Sequence, residues 1–240
     1  MQIEFGQSVI PYTLQRSNKR TTLSIQVSAQ GVEVIAPIDA TIQDIESKLL
    51  KKATWILQKQ ANFDEMIEYN TPRQFRSGEK LPYLGRQYRL KVITEPNVKS
   101  ASFCYKQGKF IATVSEDITP EQYRNLLYPL YKQWIMKRGD RIARERIKQF
   151  TSKYGKYPEK ITIKDQQQRW GSCTANQQVL LNWHIFLAPM HAIDYVIAHE
   201  LAHLTVMDHS EAFWDTLSML YPEYVASKEW LRIHGRQLYI

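Results

Sequence analysis

Over residues 8–36 hydrophobic and polar positions alternate as they do in half-buried strands. Leu23, Ile25 and Val27 share one face, Ala29-Gln30-Gly31 supplies a turn, and Val32-Glu33-Val34-Ile35 runs to a stop at Pro37. This pattern predicts a β-hairpin. From Thr41 the period lengthens: Ile42, Ile45, Leu49, Ala53, Ile56 and Leu57 recur at three and four, with Thr41 placed to cap and Asp44 in the first turn. A helix from about 41 to 62 is expected. Around Gly78, Gly85 and Gly108 the alternation returns, and Tyr83, Tyr88-Arg89-Leu90-Lys91-Val92, Phe103-Cys104-Tyr105 and Phe110-Ile111-Ala112-Thr113-Val114 are strand candidates.

Thr119-Pro120-Glu121 marks the next helix start, with proline at the first helical position and an acid in the first turn. Its apolar stripe (Leu127, Leu130, Tyr131, Trp134, Ile135, Ile142, Ile147) reaches about Phe150. Ile161-Thr162-Ile163 and Val179-Leu180-Leu181-Asn182-Trp183 read as strands flanking a loop that contains Arg169-Trp170-Gly171-Ser172-Cys173. After Pro189, the residues Ile193, Val196, Ile197 and Leu201 define a further helix to about Leu204. No internal repeat and no low-complexity tract is visible. The fold class expected is α+β, with a β-rich part carrying one helix over 1–117 and a second part over 118–240.

Composition narrows the setting. With 43% hydrophobic and 23% charged residues, the 240-residue chain is an ordinary globular protein. No apolar run approaches the roughly 18 residues that span a bilayer. The start Met1-Gln2-Ile3-Glu4-Phe5 lacks a secretory signal, and Cys104 and Cys173 are read as reduced, so a cytoplasmic protein without membrane association is expected. The net charge of +8 is uneven: residues 121–165 hold 12 Lys and Arg against 5 Asp and Glu, whereas 166–240 hold 4 against 7. Lys137, Arg141, Arg144 and Lys148 fall on one stripe of the helix over 119–150. They could contact nucleic-acid phosphates. A solvated helix face is the default, because no aromatic-rich strand pair or other base-reading element accompanies them in the sequence.

His199-Glu200-Leu201-Ala202-His203 carries the chemistry. Residues four apart on a helix lie one turn above one another, so both imidazoles can reach one metal ion, and zinc takes histidine nitrogens at about 2.0–2.1 Å. Glu200 on the neighbouring flank can take a proton from water activated by that metal, which is the arrangement of a peptidase. A third ligand is needed. His209 lies six residues beyond His203 and can return to the metal only if the helix ends first. Asp208-His209-Ser210-Glu211 marks such a corner, with Asp208 or Ser210 able to cap a second helix bearing Phe213, Trp214, Leu217 and Leu220. Glu223 is the competing ligand; imidazole suits zinc better, which favours His209.

With these strings in view the chain resembles the YgjP-like metallopeptidases, a zinc-peptidase family of the prokaryotic cytoplasm related to the WLM and SprT-like metalloproteases. The resemblance rests on Arg169-Trp170-Gly171-Ser172-Cys173, Leu181-Asn182-Trp183, Tyr195 to His203, Asp208-His209-Ser210 and Phe213-Trp214, and it extends over nearly the whole chain through the N-terminal strands and Gly85-Arg86-Gln87-Tyr88-Arg89. It implies zinc on His199, His203 and His209, Glu200 as catalytic acid/base, and a zincin-like arrangement of residues 118–240. Asp208 stands where an asparagine is expected, which touches nothing catalytic. The spacing also matches metzincins, but Val206 replaces the glycine of their tight turn.

Weaker signals remain. Arg169 could face a substrate carbonyl, or the segment Arg169–Cys173 could be a turn in which Gly171 takes a positive φ, Trp170 packs and Cys173 is buried. Asn182 could orient a substrate backbone or bond a turn. His184, His191 and His234 read as ordinary partners or surface groups. Strand 178–183 could offer its edge to an extended peptide substrate. Tyr221 and Tyr224 are among the tyrosines that could stabilise an oxyanion. A rival from another class is a nucleic-acid-associated protein that uses the basic helix.

Overall fold

The computed structural model describes residues 1–6, 8–18, 20–28, 31–58, 72–166 and 169–240. The chain divides into two compact units, Met1–Thr71 and Pro72–Ile240. Residues 80–115, grouped by the sequence reading with the N-terminal part, share the core of the second unit instead: Leu81, Leu90, Phe110, Ala112 and Val114 belong to one hydrophobic cluster with Leu127, Tyr131 and Ile135. No helix among the described residues is long and apolar enough to cross a membrane.

In the first unit β1 (Gln2–Phe5), β2 (Ser8–Ser17), β3 (Ser24–Ser28) and β4 (Gly31–Pro37) form a sheet in the order β1-β2-β4-β3. The expected hairpin is the antiparallel pair β3/β4; β2 and β4 run parallel. Val32, Val34 and Ala36, every second residue of β4, point with Ile3, Ile10 and Tyr12 onto Ile45, Leu49, Ala53 and Ile56. Helix α1 spans Ile42–Lys51, and the Thr41 hydroxyl caps it by accepting the Asp44 N–H at 3.1 Å, a contact worth about 1 kcal/mol. The helix expected over 41–62 breaks at Lys52 and resumes over 53–58; residues 59–62 lie outside the described residues.

The second unit opens with the same device. Strands β5 (Lys80–Tyr83), β6 (Arg86–Glu95), β7 (Ser102–Lys106) and β8 (Lys109–Ser115) pair in the order β5-β6-β8-β7. Their lengths of 4, 10, 5 and 7 residues repeat those of β1 to β4. Their starts at 80, 86, 102 and 109 follow those at 2, 8, 24 and 31 by a constant 78 residues. The parallel register agrees to the residue, Tyr12 with Val32 in the first sheet and Leu90 with Phe110 in the second. Even the helix entry repeats, Thr41 preceding α1 and Thr119 preceding the next helical segment. The chain therefore contains a structural duplication, which corrects the reading of no internal repeat. What the copies keep is apolar character at buried positions (Ile3 and Leu81, Tyr12 and Leu90, Ala36 and Val114), because a two-layer core constrains polarity more than identity.

Helix α2 (Tyr123–Tyr154) packs its Leu127, Tyr131 and Ile135 on the second sheet and ends at Gly155, whose φ of 77° is the left-handed helix stop. A third sheet follows, of β9 (Lys160–Lys164), β10 (Gly171–Cys173) and β11 (Gln178–Asn182), in the order β10-β11-β9. Two expectations change here. The stretch read as a loop contains β10. And β11, proposed to offer an edge to substrate, is the middle strand, antiparallel to β10 and parallel to β9, so both its edges are already paired. The outer edge in this sheet next to Gly171–Cys173 belongs to β10. Helices α3 (Met190–Ala202), α4 (Glu211–Leu220) and α5 (Tyr224–His234) complete the unit.

Candidate active site

Helix α3 is buried on nearly every side; Ile193, Val196, Ile197, Ala198, Leu201 and Ala202 all lie in the core. Polar groups on such a helix need partners. Asp194 finds one in Arg146 of α2, whose Nε donates at 2.6 Å. The others are His199, Glu200 and His203.

His199 and His203 lie one turn apart with ring centroids separated by 5.0 Å. The helix ends at His203, and the chain turns a corner through Val206, whose N–H reaches the Ala202 carbonyl at 3.1 Å. Asp208 Oδ1 accepts the Ser210 N–H at 3.1 Å, and Trp214 Nε1 donates to the His209 carbonyl at 3.2 Å. Ser210 takes the N-cap position of α4 without a side-chain bond, so it is Asp208 that organises the corner. His209 thereby swings back: its ring lies 5.1 Å from that of His199 and 4.9 Å from that of His203. One ligand nitrogen from each of the three histidines falls within 4.8 Å of the others. Phe213, fully buried in the first turn of α4, touches all three rings at 4.5 to 4.9 Å. Glu223, the rival ligand, is exposed and stands outside this cluster.

Two of the imidazoles, those of His199 and His203, are held neutral. Burial, followed by the charges of His203, His209 and Lys228, pushes His199 down to about 4, and burial lowers His203 as well. His203 Nδ1 lies 3.0 Å from the Val206 carbonyl, which assigns the proton to Nδ1 and leaves the Nε2 lone pair free to bind. His199 Nε2 and His209 Nε2 are 3.2 Å apart. That separation matches the edge, roughly 3.3 Å, of a tetrahedron of nitrogens about 2.0–2.1 Å from a zinc ion. Three imidazoles converging in this way fit a divalent metal of borderline softness.

Glu200 is buried, and its environment comes largely from β10. Burial raises its carboxyl to about 8, against the lowering effects of the Arg169 charge and a hydrogen bond from the Cys173 backbone N–H. A Cβ added to Gly171 would meet Glu200 Oε1 at 2.6 Å. Gly171 does not take the positive φ that the turn reading assigned to it. It lies in a strand and is glycine because the carboxylate occupies the space of a side chain. The rest of the segment is braced from behind: Asn182 Nδ2 donates to the carbonyls of Gln166 and Arg169 at 2.6 and 2.9 Å, and the Asn182 N–H to Trp170 O at 2.8 Å. This favours the turn-bonding role for Asn182 over substrate binding. Burial and Glu200 push the Cys173 thiol up to about 11, which makes it a poor nucleophile.

The remaining histidines have ordinary partners: His184 meets Asn182 Oδ1 at 3.0 Å, His191 meets Ser227 Oγ at 3.2 Å, and His234 packs on Trp230 at 4.9 Å. Of the tyrosines, Tyr221 bonds Ser227 at 3.2 Å and Tyr224 stacks on Trp214 at 5.8 Å. The sequence reading passed over Tyr195. Its ring lies 5.9 Å from His199, and burial together with the Glu200 charge pushes its hydroxyl up to about 12. The helical spacing of Tyr195 to His199, four residues, was the available signal.

Comparison with known proteins agrees with the resemblance. The model of the YgjP-like metallopeptidase domain matches residues 21–234, and the chain belongs to this family. Membership makes it a metallopeptidase by class, which implies a metal and peptide or protein substrates, and the three histidines are a group that could hold that metal. Among solved structures the chain is similar to the metallopeptidase zymogen of Pyrococcus abyssi abylysin. The match has 18% identity, covers 39% of this chain and 93% of that one, and has a TM-score of 0.35, too low to equate the two folds. No curated protein matches the chain.

Proposed function

We propose that this protein is a zinc-dependent metallopeptidase in which His199, His203 and His209 hold the zinc and Glu200 is the general base. The observation that carries this reading is the convergence of three ligand nitrogens within 4.8 Å beside a buried carboxyl. Zinc bound there supplies Lewis acidity, lowering the pKa of water to about 7 and polarising a carbonyl. Glu200 lies buried beside these ligands. It accepts the proton of the attacking water and returns it to the leaving amine. The Cys173 N–H holds the carboxylate in place.

Strand β10 is an outer strand of its sheet beside Glu200, and the part of its edge not spent on that carboxylate can pair with the main chain of an extended peptide, which gives binding tolerant of side-chain identity. Together with the histidine helix it makes residues 118–240 zincin-like in our reading, and all the groups named lie in that part. We place the activity in the cytoplasm, where Cys104 and Cys173, both unpaired, remain reduced. The test is digestion of a proteome-derived peptide library by the zinc-loaded protein, with fragments identified by mass spectrometry. Cleavage that stops with a chelator and returns with zinc is expected; a fully loaded, folded protein that cleaves nothing overturns the proposal.

A further inference from the structure

A cavity of about 400 Å³ lies between β7 and α2, lined by Tyr105, Trp134, Lys137, Arg138 and Arg141. None of these residues belongs to the centre described above. Three cations and two aromatic rings face it, and no carboxylate is among them. The nearest carboxylate partner, Glu145, meets Arg141 at 3.7 Å in an exposed pair, which is a weak competitor for a ligand. Arg138 Nε donates to the Tyr83 hydroxyl at 3.0 Å, which fixes the guanidinium against the rings. Behind the lining, Tyr83, Tyr88 and Phe110 pack on Tyr105 and Trp134 with centroids 5.0 to 6.0 Å apart. The aromatic-rich strands that the sequence reading missed beside the basic helix are therefore present, and tertiary folding brings them to it.

The duplication supplies an internal control. At the positions of Tyr83, Tyr88, Tyr105 and Phe110 the first copy has Phe5, Ile10, Val27 and Val32, each 78 residues earlier. The same strand order and register close with mostly aliphatic side chains, so the tyrosines and their hydroxyls are not what this topology requires. An acidic peptide would use the cations and have no need of rings. A duplex would keep its bases stacked and out of a pocket. Planar rings beside Lys and Arg suit a base and its phosphate, and about 400 Å³ is within the range of small-ligand sites.

We propose that this pocket binds single-stranded nucleic acid, with one base against Tyr105 and Trp134 and three successive phosphates of the strand on Lys137, Arg138 and Arg141.

The test is fluorescence anisotropy of a labelled oligo(dT) with the full chain at increasing salt. Binding is expected with a slope of log affinity against log salt near −2, from three phosphate contacts at roughly 0.7 each. The Lys137→Ala/Arg141→Ala double variant, altered only at exposed side chains, should flatten that slope by about 1.4. Tyr105→Val, which writes in the first copy's residue, should weaken binding about 5- to 100-fold with the slope unchanged, the signature of lost stacking. Circular dichroism checks that both variants fold. Absence of binding at low ionic strength overturns the proposal, as does a folded double variant with undiminished slope. Competition by poly-glutamate as strong as by unlabelled oligo(dT) would show charge alone at work, and competition as strong by thymidine monophosphate would show a mononucleotide site; either result also overturns it.

Discussion

Gly171 and Glu200 share one space: a methyl group on the glycine would sit 2.6 Å from the carboxylate Oε1 and 2.8 Å from Cγ. Strand β10 thus serves as a mould for the carboxyl, its glycine admitting the group and its Cys173 N–H holding it. Gly171→Ala should displace Glu200 without touching the three histidines. Overpacking of this kind costs about 1–3 kcal/mol of stability. A misplaced catalytic group costs on the order of 10²-fold in rate. We expect kcat to fall by that order while metal content, measured by plasma emission, stays at the native level. Loss of metal in the variant would show that β10 supports the histidines instead.

Glu200→Gln keeps shape and removes the proton acceptor. Hydrolysis of any peptide cleaved by the native protein should fall by about 10²–10⁴-fold, with the melting temperature no lower than native. The buried carboxyl contributes desolvation cost rather than stability, so a neutral amide is tolerated there. Unchanged turnover would remove Glu200 from the mechanism.

His209→Ala should lower zinc content as severely as His199→Ala, because in the proposed site each supplies one of three protein ligands, with a fourth position left open. Glu223→Ala should leave it unchanged, since that side chain is exposed and apart from the cluster. Metal analysis after dialysis against a weak chelator separates the two cases; the reverse pattern would transfer the third ligand to Glu223.

Stability should fall with acid through His184. Burial, with Lys132 adding and Asp165 opposing, brings its imidazole down to about 4 from the usual 6.5. Between those values the unfolded chain binds a proton that the native state refuses, so stability declines as pH falls from about 6.5 to 4 and is independent of this group above 6.5. The loss is at most about 3.4 kcal/mol, the shift converted at 1.36 kcal/mol per unit. Urea unfolding midpoints across this range should show the decline, and His184→Gln should flatten it. A variant that retains the native slope would assign the acid sensitivity to other groups.

The sequence by itself determined the local elements and the chemical vocabulary of the site. Alternation in β3, β4 and β8, the Thr41 cap and the four-residue spacing of His199 and His203 are short-range properties, set by backbone periodicity and by bonds between near neighbours. The corner at Asp208 was legible for the same reason, and with it the return of His209. What depends on distant parts of the chain was not legible. The duplication is invisible in residue identity, because its copies retain only the apolar character of buried positions. The central place of β11 and the outer place of β10 follow from a parallel pairing with β9, some 18 residues away in sequence. Gly171 gives no sign alone that a carboxylate from another element fills its missing side chain, and the ring cluster beside Lys137, Arg138 and Arg141 comes from four separate strands and a helix. Tertiary packing decided these because which side chains meet across two elements depends on strand order and register, and those are settled by the burial of the whole core rather than by any local stretch.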